Sequence, residues 1–168
     1  MYFFFAVLLF GVTTVKAQMP VMVPIPNAVP CMGRAMNGAV VPVVQVVGPS
    51  PAWALTSWPN GFPVTTYSNV YFQLSPLLQN FTSWHECGHA ATGNPNEFAA
   101  NCFALAHGNF SPQQIALIGQ FTQNLPFPVG PQYGGSGAAF WAGTMAMCPQ
   151  FFSNAPGLPS ASGNSVRP

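Results

Sequence analysis

The sequence predicts a mainly α fold: a small helical core preceded by an extended, Pro-rich N-terminal segment with short β-strands. Two observations carry this expectation. Prolines and valines crowd the first third of the chain, in runs such as Val21-Met22-Val23-Pro24-Ile25-Pro26 and Val40-Val41-Pro42-Val43-Val44. Beyond Tyr67 the texture changes, and Ser75-Pro76, Asn94-Pro95 and Ser111-Pro112 repeat one helix-start chemistry, a capping side chain before a proline whose missing N–H costs nothing in the first turn.

The elements follow in order. Residues 1–17 hold an apolar run from Tyr2 to Val12 and close on Val15-Lys16-Ala17, the pattern of a cleaved secretory signal peptide. Residues 18–66 form the extended segment. Each proline there removes a donor and pushes its predecessor out of the helical region, so edge strands and polyproline stretches are expected, tied down through Cys31. Residues 67–151 form the helical domain. Its first helix runs from Pro76 to about Ala91, with Leu77, Leu78, Phe81, Trp84 and Gly88 at helical spacing, and its second from Pro95 to about His107, packing Phe98, Cys102 and Leu105. The third, Pro112 to about Asn124, places Ile115, Ile118 and Phe121 on one stripe; a fourth runs from Ala138 to Met147. Residues 152–168, rich in Ser, Pro and Gly, read as a disordered tail.

Composition narrows the function. Only 3% of the 168 residues are charged, against roughly 25% in an ordinary soluble domain. Without the leader, two Arg (Arg34, Arg167) and two Glu (Glu86, Glu97) remain, with no Lys or Asp. Nucleic acid and anionic membrane surfaces are thereby disfavoured as partners, because both are bound by clustered cations. No stretch after the leader reaches the length of an apolar membrane span. Cys31, Cys87, Cys102 and Cys148 form an even set in a chain that reads as secreted, extracellular or periplasmic, so two disulfides are expected. Helical geometry turns Cys87 and Cys102 away from the face that carries the chemistry, which favours Cys31 and Cys148 as their partners over a direct bridge. The pairing stays open among three possibilities.

The chemistry is concentrated in His85-Glu86-Cys87-Gly88-His89, an H-E-x-x-H motif. Four residues apart on a helix, two imidazoles share a face and can grip one Zn²⁺, while the adjoining Glu86 carboxylate is placed to take a proton from an activated water. A catalytic zinc needs a third protein ligand, and Glu97 is the only other acid. A reversal at Asn94-Pro95 would return it, in the first turn of the next helix, toward His85 and His89. Asn101, one turn on, is placed to hydrogen-bond a ligand imidazole. In a chain with three His and two Glu, a chance H-E-x-x-H has a probability on the order of 10⁻³. His107 is a second option for the third ligand, though it lies off the Glu97 face. The longer H-E-x-x-H-x-x-G-x-x-H pattern fails at Thr92 and Pro95. Tyr133 and His107 are candidate donors to a developing oxyanion.

These residues, with Glu97-Phe98-Ala99-Ala100-Asn101 after a short spacer, resemble the H-E-x-x-H, E-x-x-A-D/N arrangement of small secreted or periplasmic zincins with a glutamate third ligand. The resemblance covers about half the chain. It implies a zincin-like helical core, a bound zinc held by His85, His89 and Glu97, Glu86 as the catalytic base, and a peptide or protein substrate. Asn101 stands where many such proteins have Asp. The expected activity is that of a secreted zinc metallopeptidase. A zinc amidase or esterase, and a non-catalytic secreted structural or binding protein retaining the scaffold, are the alternatives.

Overall fold

The computed structural model of the chain describes residues 24–125, 132 and 134–153. The expected signal peptide, Tyr133 and all but the first two residues of the expected tail lie outside the described residues. Among these residues, five short strands precede four α-helices. The strands are β1 (Met32–Arg34), β2 (Val40–Pro42), β3 (Val44–Val47), β4 (Ala54–Ser57) and β5 (Val64–Tyr67); the helices are α1 (Pro76–Thr92), α2 (Glu97–His107), α3 (Pro112–Gln123) and α4 (Gly137–Met147).

Three of the four helices begin where the sequence places them to within one residue. Ser75 caps α1 by accepting from the Leu78 N–H, and Ser111 caps α3 in a reciprocal box with Gln114. Ser136 caps α4. The helices close on one apolar core built from Leu78, Phe81, Ala104, Leu105, Ile115, Ile118 and Trp141. Burying each large aliphatic or Phe side chain contributes roughly 1.5–3 kcal/mol. Phe121 departs from its expected place on the α3 stripe: it is exposed and meets Trp53 at 5.6 Å between ring centroids. Phe152, assigned by composition to the tail, is buried edge-on against Trp141.

The Pro-rich segment packs as strands on the back of α1. β1 and β2 form an antiparallel hairpin, and β5 is the centre of a mixed sheet of order β3-β5-β4, parallel to β3 and antiparallel to β4. Gly33 of β1 lies so close to α1 that a Cβ would stand 3.1 Å from the Ala90 Cβ. β4 reaches the same helix through Thr56, whose hydroxyl is 3.1 Å from the Glu86 carbonyl oxygen. Ahead of the hairpin, residues 27–31 form a strap along α1. Asn27 Nδ2 donates to Gln79 Oε1 at 2.7 Å, the Val29 N–H donates to Ser83 Oγ at 2.8 Å, and Cys31 is bonded to Cys87. Two extended residues advance roughly 6.6 Å and four helical ones about 6.0 Å, so alternate strap residues keep step with successive turns of the helix.

The two disulfides are Cys31–Cys87 and Cys102–Cys148. Cys87 and Cys102 do not bridge each other. Two disulfides fit a secreted or extracellular protein, and among the described residues no helix is long and apolar enough to cross a membrane.

Replacing Cys31 and Cys87 together by Ser releases a closure over a sequence separation of 56 residues. The chain-entropy relation gives a loss of about 4 kcal/mol, to be read from the shift in the urea unfolding midpoint.

Candidate metal centre

His85 and His89 leave the same face of α1, one turn apart. Gly93, at φ 66°, ends the helix in the left-handed conformation that favours glycine, its N–H donating to the His89 carbonyl at 2.8 Å. The reversal that follows is held by side chains. Thr92 Oγ1 accepts from the Asn94 N–H, Asn94 Oδ1 accepts from the Asn96 N–H, and Asn96 Oδ1 accepts from the Ala99 N–H. The second helix therefore starts at Glu97 with Asn96 as its cap, two residues later than the Asn94-Pro95 pair suggests. Asn94 is consumed by the turn, and its carbonyl accepts from His89 Nδ1 at 2.8 Å. Glu97 occupies the first helical position, where the unpaired N–H groups of the helix favour a carboxylate.

This reversal brings Glu97 Oε2 to 3.0 Å from His85 Nε2 and 3.3 Å from His89 Nε2, with the two nitrogens 3.2 Å apart. His85, His89 and Glu97 thus form a group that can hold a metal ion. A tetrahedral ion bonded at about 2.0–2.1 Å sets neighbouring donors about 3.3 Å apart, close to all three separations. The side chains keep 11%, 10% and 13% exposure, so solvent reaches them.

Proton accounting sharpens the fit. The Asn94 carbonyl can only accept, so His89 carries its proton on Nδ1. His85 Nδ1 lies 2.8 Å from Asn101 Oδ1, also an acceptor. A neutral imidazole has a single N–H. Both Nε2 atoms therefore present lone pairs to each other and to a carboxylate oxygen, and only a cation between them relieves the repulsion. A single proton or a metal ion serves.

The electrostatics agree. At His89, burial lowers the pKa, but the hydrogen bonds with Glu97 and the Asn94 carbonyl and the charges of Glu86 and Glu97 outweigh it and raise the imidazole above its ordinary value. At Glu97, burial raises the pKa, and hydrogen bonds and charge from both imidazoles outweigh it, bringing the carboxyl down to about 2.

Glu86 is 6% exposed, and its Oε2 is buried with no hydrogen-bond partner among the described residues. An unpaired buried carboxylate oxygen is costly. Its charge raises the pKa of both His89 and Tyr67, and it is not a member of the His85, His89 and Glu97 group. His107 is not brought to this group. It stacks on Trp84 at 5.8 Å and meets Phe103 at 4.1 Å between ring centroids. The Asn94 carbonyl and Thr144, which accepts from Asn101 Nδ2 at 2.8 Å, are hydrogen-bond partners of the cluster that the residue pattern does not reveal. A backbone acceptor leaves no trace in residue type. Thr144 shows only as a polar residue one turn from Phe140 on the buried side of α4.

Gly88, inside the motif, is where α2 crosses α1. A Cβ there would stand 3.0 Å from the Phe103 Cβ, 3.1 Å from the Ala100 Cα and 3.2 Å from the Ala100 carbonyl oxygen. No protein-family model, curated protein or solved structure matches this chain.

Two outcomes follow from this geometry. Gly88→Val wedges the two ligand-bearing helices apart, costing about 2 kcal/mol in urea unfolding and weakening metal binding measured on the folded fraction. In the metal-free protein, the depressed Glu97 pKa contributes stability that is present above the ordinary value of 4.5 and lost as pH falls toward about 2. The raised His89 pKa contributes stability that is present below 6.5 and lost as pH rises through the folded value. Unfolding in the presence of a chelator, followed across pH, should therefore show this pair contributing most between pH 4.5 and 6.5, with Glu97→Gln removing the maximum.

Proposed function

We propose that the chain is a small exported zinc metallopeptidase with a zincin-like core, in which His85, His89 and Glu97 hold the metal and Glu86 is the general base. The convergence of two unprotonated Nε2 atoms and one carboxylate oxygen supports this reading most directly, because it is a donor set and a spacing suited to zinc. Zinc bound there supplies Lewis acidity, polarising a substrate carbonyl and making water acidic enough to attack near neutral pH.

The chain's own residues supply the rest. Hydrogen bonds at both Nδ1 atoms fix the ring orientations and leave each Nε2 as the donor atom. Glu97 contributes one negative charge. Glu86, whose Oε2 has no hydrogen-bond partner among the described residues, receives the proton of the attacking water and returns it to the leaving amine. Phe140 lies edge-on 6.5 Å from the His85 imidazole and carries Phe98 against it, 5.9 Å away between ring centroids, so apolar surface borders the site. An extended peptide or protein segment is the proposed substrate, and the two disulfides suit an oxidising compartment.

The test combines metal analysis with Glu86→Gln. The purified protein should carry one zinc per chain, and the substitution should leave that stoichiometry unchanged while lowering kcat/KM on a peptide library about 10²–10⁴-fold. A folded wild-type protein that takes up no zinc would overturn the reading; zinc uptake without hydrolysis of any peptide would favour a binding protein built on the same scaffold.

A further inference from the structure

We propose that Thr144 of α4 is a positioning residue for the metal centre: it orients the Asn101 amide so that oxygen, rather than nitrogen, faces His85, and so keeps His85 Nε2 free of a proton. This rests on the metal site proposed above. It begins from a difference in chemistry between a carboxylate and an amide. A carboxylate beside His85 Nδ1 accepts whichever way it is turned, whereas an amide has one accepting and one donating end. If Asn101 were reversed, its NH₂ would face Nδ1, Nδ1 would become the lone pair, and the ring proton would move to Nε2, between His89 and Glu97. That tautomer cannot bind a metal through Nε2.

Thr144 prevents the reversal. Asn101 Nδ2 donates to Thr144 Oγ1 at 2.8 Å, and Thr144 Oγ1 donates its only proton to the Phe140 carbonyl at 3.1 Å. Toward Asn101, therefore, the hydroxyl can only accept. The donors run in one direction, from His85 Nδ1 to Asn101 Oδ1 and from Asn101 Nδ2 through Thr144 to the Phe140 carbonyl. Asn101 and Thr144 are both fully buried, so water does not substitute for either. The Cys102–Cys148 disulfide clamps α2 to α4 one residue beyond Asn101 and one turn beyond Thr144, with the two sulfurs 3.9 and 3.2 Å from the Thr144 carbonyl oxygen.

The experiment uses the full mature chain with Thr144→Val, which keeps the shape and deletes the hydroxyl, and Thr144→Ser, which keeps the hydroxyl. Nitrogen-15 NMR of the metal-free protein, at a pH where His85 is neutral, reads its tautomer; competition with a chelator reads the zinc dissociation constant. Thr144→Val is expected to shift His85 toward the Nε2–H tautomer and to weaken zinc binding about 10–100-fold, with Thr144→Ser close to wild type. With Asn101→Asp as background, Thr144→Val should leave zinc affinity unchanged, because a carboxylate needs no orienting. A folded Thr144→Val protein that keeps the Nδ1–H tautomer and wild-type affinity overturns the proposal. If that variant does not fold, Thr144→Ala and the Asn101→Asp pair decide by the same criteria. Should the wild-type protein bind no zinc, the metal reading fails, while the tautomer measurement still accepts or rejects the role of Thr144.

Discussion

Three electron-pair donors that cannot satisfy one another are the constraint on which the centre depends. Each imidazole spends its proton on the outer side, on Asn94 and Asn101, and turns a bare nitrogen inward toward a carboxylate oxygen. The inward face has no proton of its own, so the folded chain creates a demand for positive charge. The pair of opposed pKa shifts, His89 upward and Glu97 downward, expresses the same demand in the absence of metal, when a proton fills the role. A metal ion held there would compete with that proton for one position, and its binding would depend on pH.

Such a cluster is costly unless its walls are rigid, and the architecture supplies rigidity on both sides. One disulfide is anchored inside the H-E-x-x-H motif and fastens the back of α1 to the N-terminal strap; the other is anchored next to Asn101 and fastens α2 to α4. Between these clamps, α1 and α2 meet at Gly88 closely enough that a Cβ there would stand 3.0–3.2 Å from Phe103 and Ala100. Strands β1 and β4 complete the backing of α1, so the helix bearing the two histidines is held by the strap, the hairpin, the sheet and α2 at once. A chain with so few charges has little other means of fixing polar groups, and hydrogen bonds such as Tyr67 to Ser83 and Thr56 to Thr65 tie several of its buried polar residues.

Much of this was legible in the residue order. Ser75-Pro76 and Ser111-Pro112 specify helix starts because capping and proline chemistry are local, and His85 and His89 share a face because the helical period is fixed. Glu97 could be nominated because no other acid was left to choose. The pattern was less informative where neighbours compete. Asn94-Pro95 looks like a helix start, yet Asn94 is taken by the turn that ends α1, and Asn96 caps instead. Phe121 fits the α3 stripe and nevertheless faces Trp53, since helical spacing records period and not which side another layer covers. The parallel pairing of β3 with β5 around an intervening strand has no local signature at all.

The sequence by itself determined which side chains can hold a cation, the helix that presents the two histidines, and the number of cysteines available for cross-links, because these depend on residue type and on spacings within one element. Tertiary structure alone decided that Glu97 returns to within 3.0 Å of His85, that Cys31 rather than Cys102 pairs with Cys87, and that Thr144, 43 residues from Asn101, sets the direction of its amide. Each of these is a meeting between segments whose relative placement follows from burial of the shared core and the reversal at residues 93–96, and distance along the chain carries no information about either.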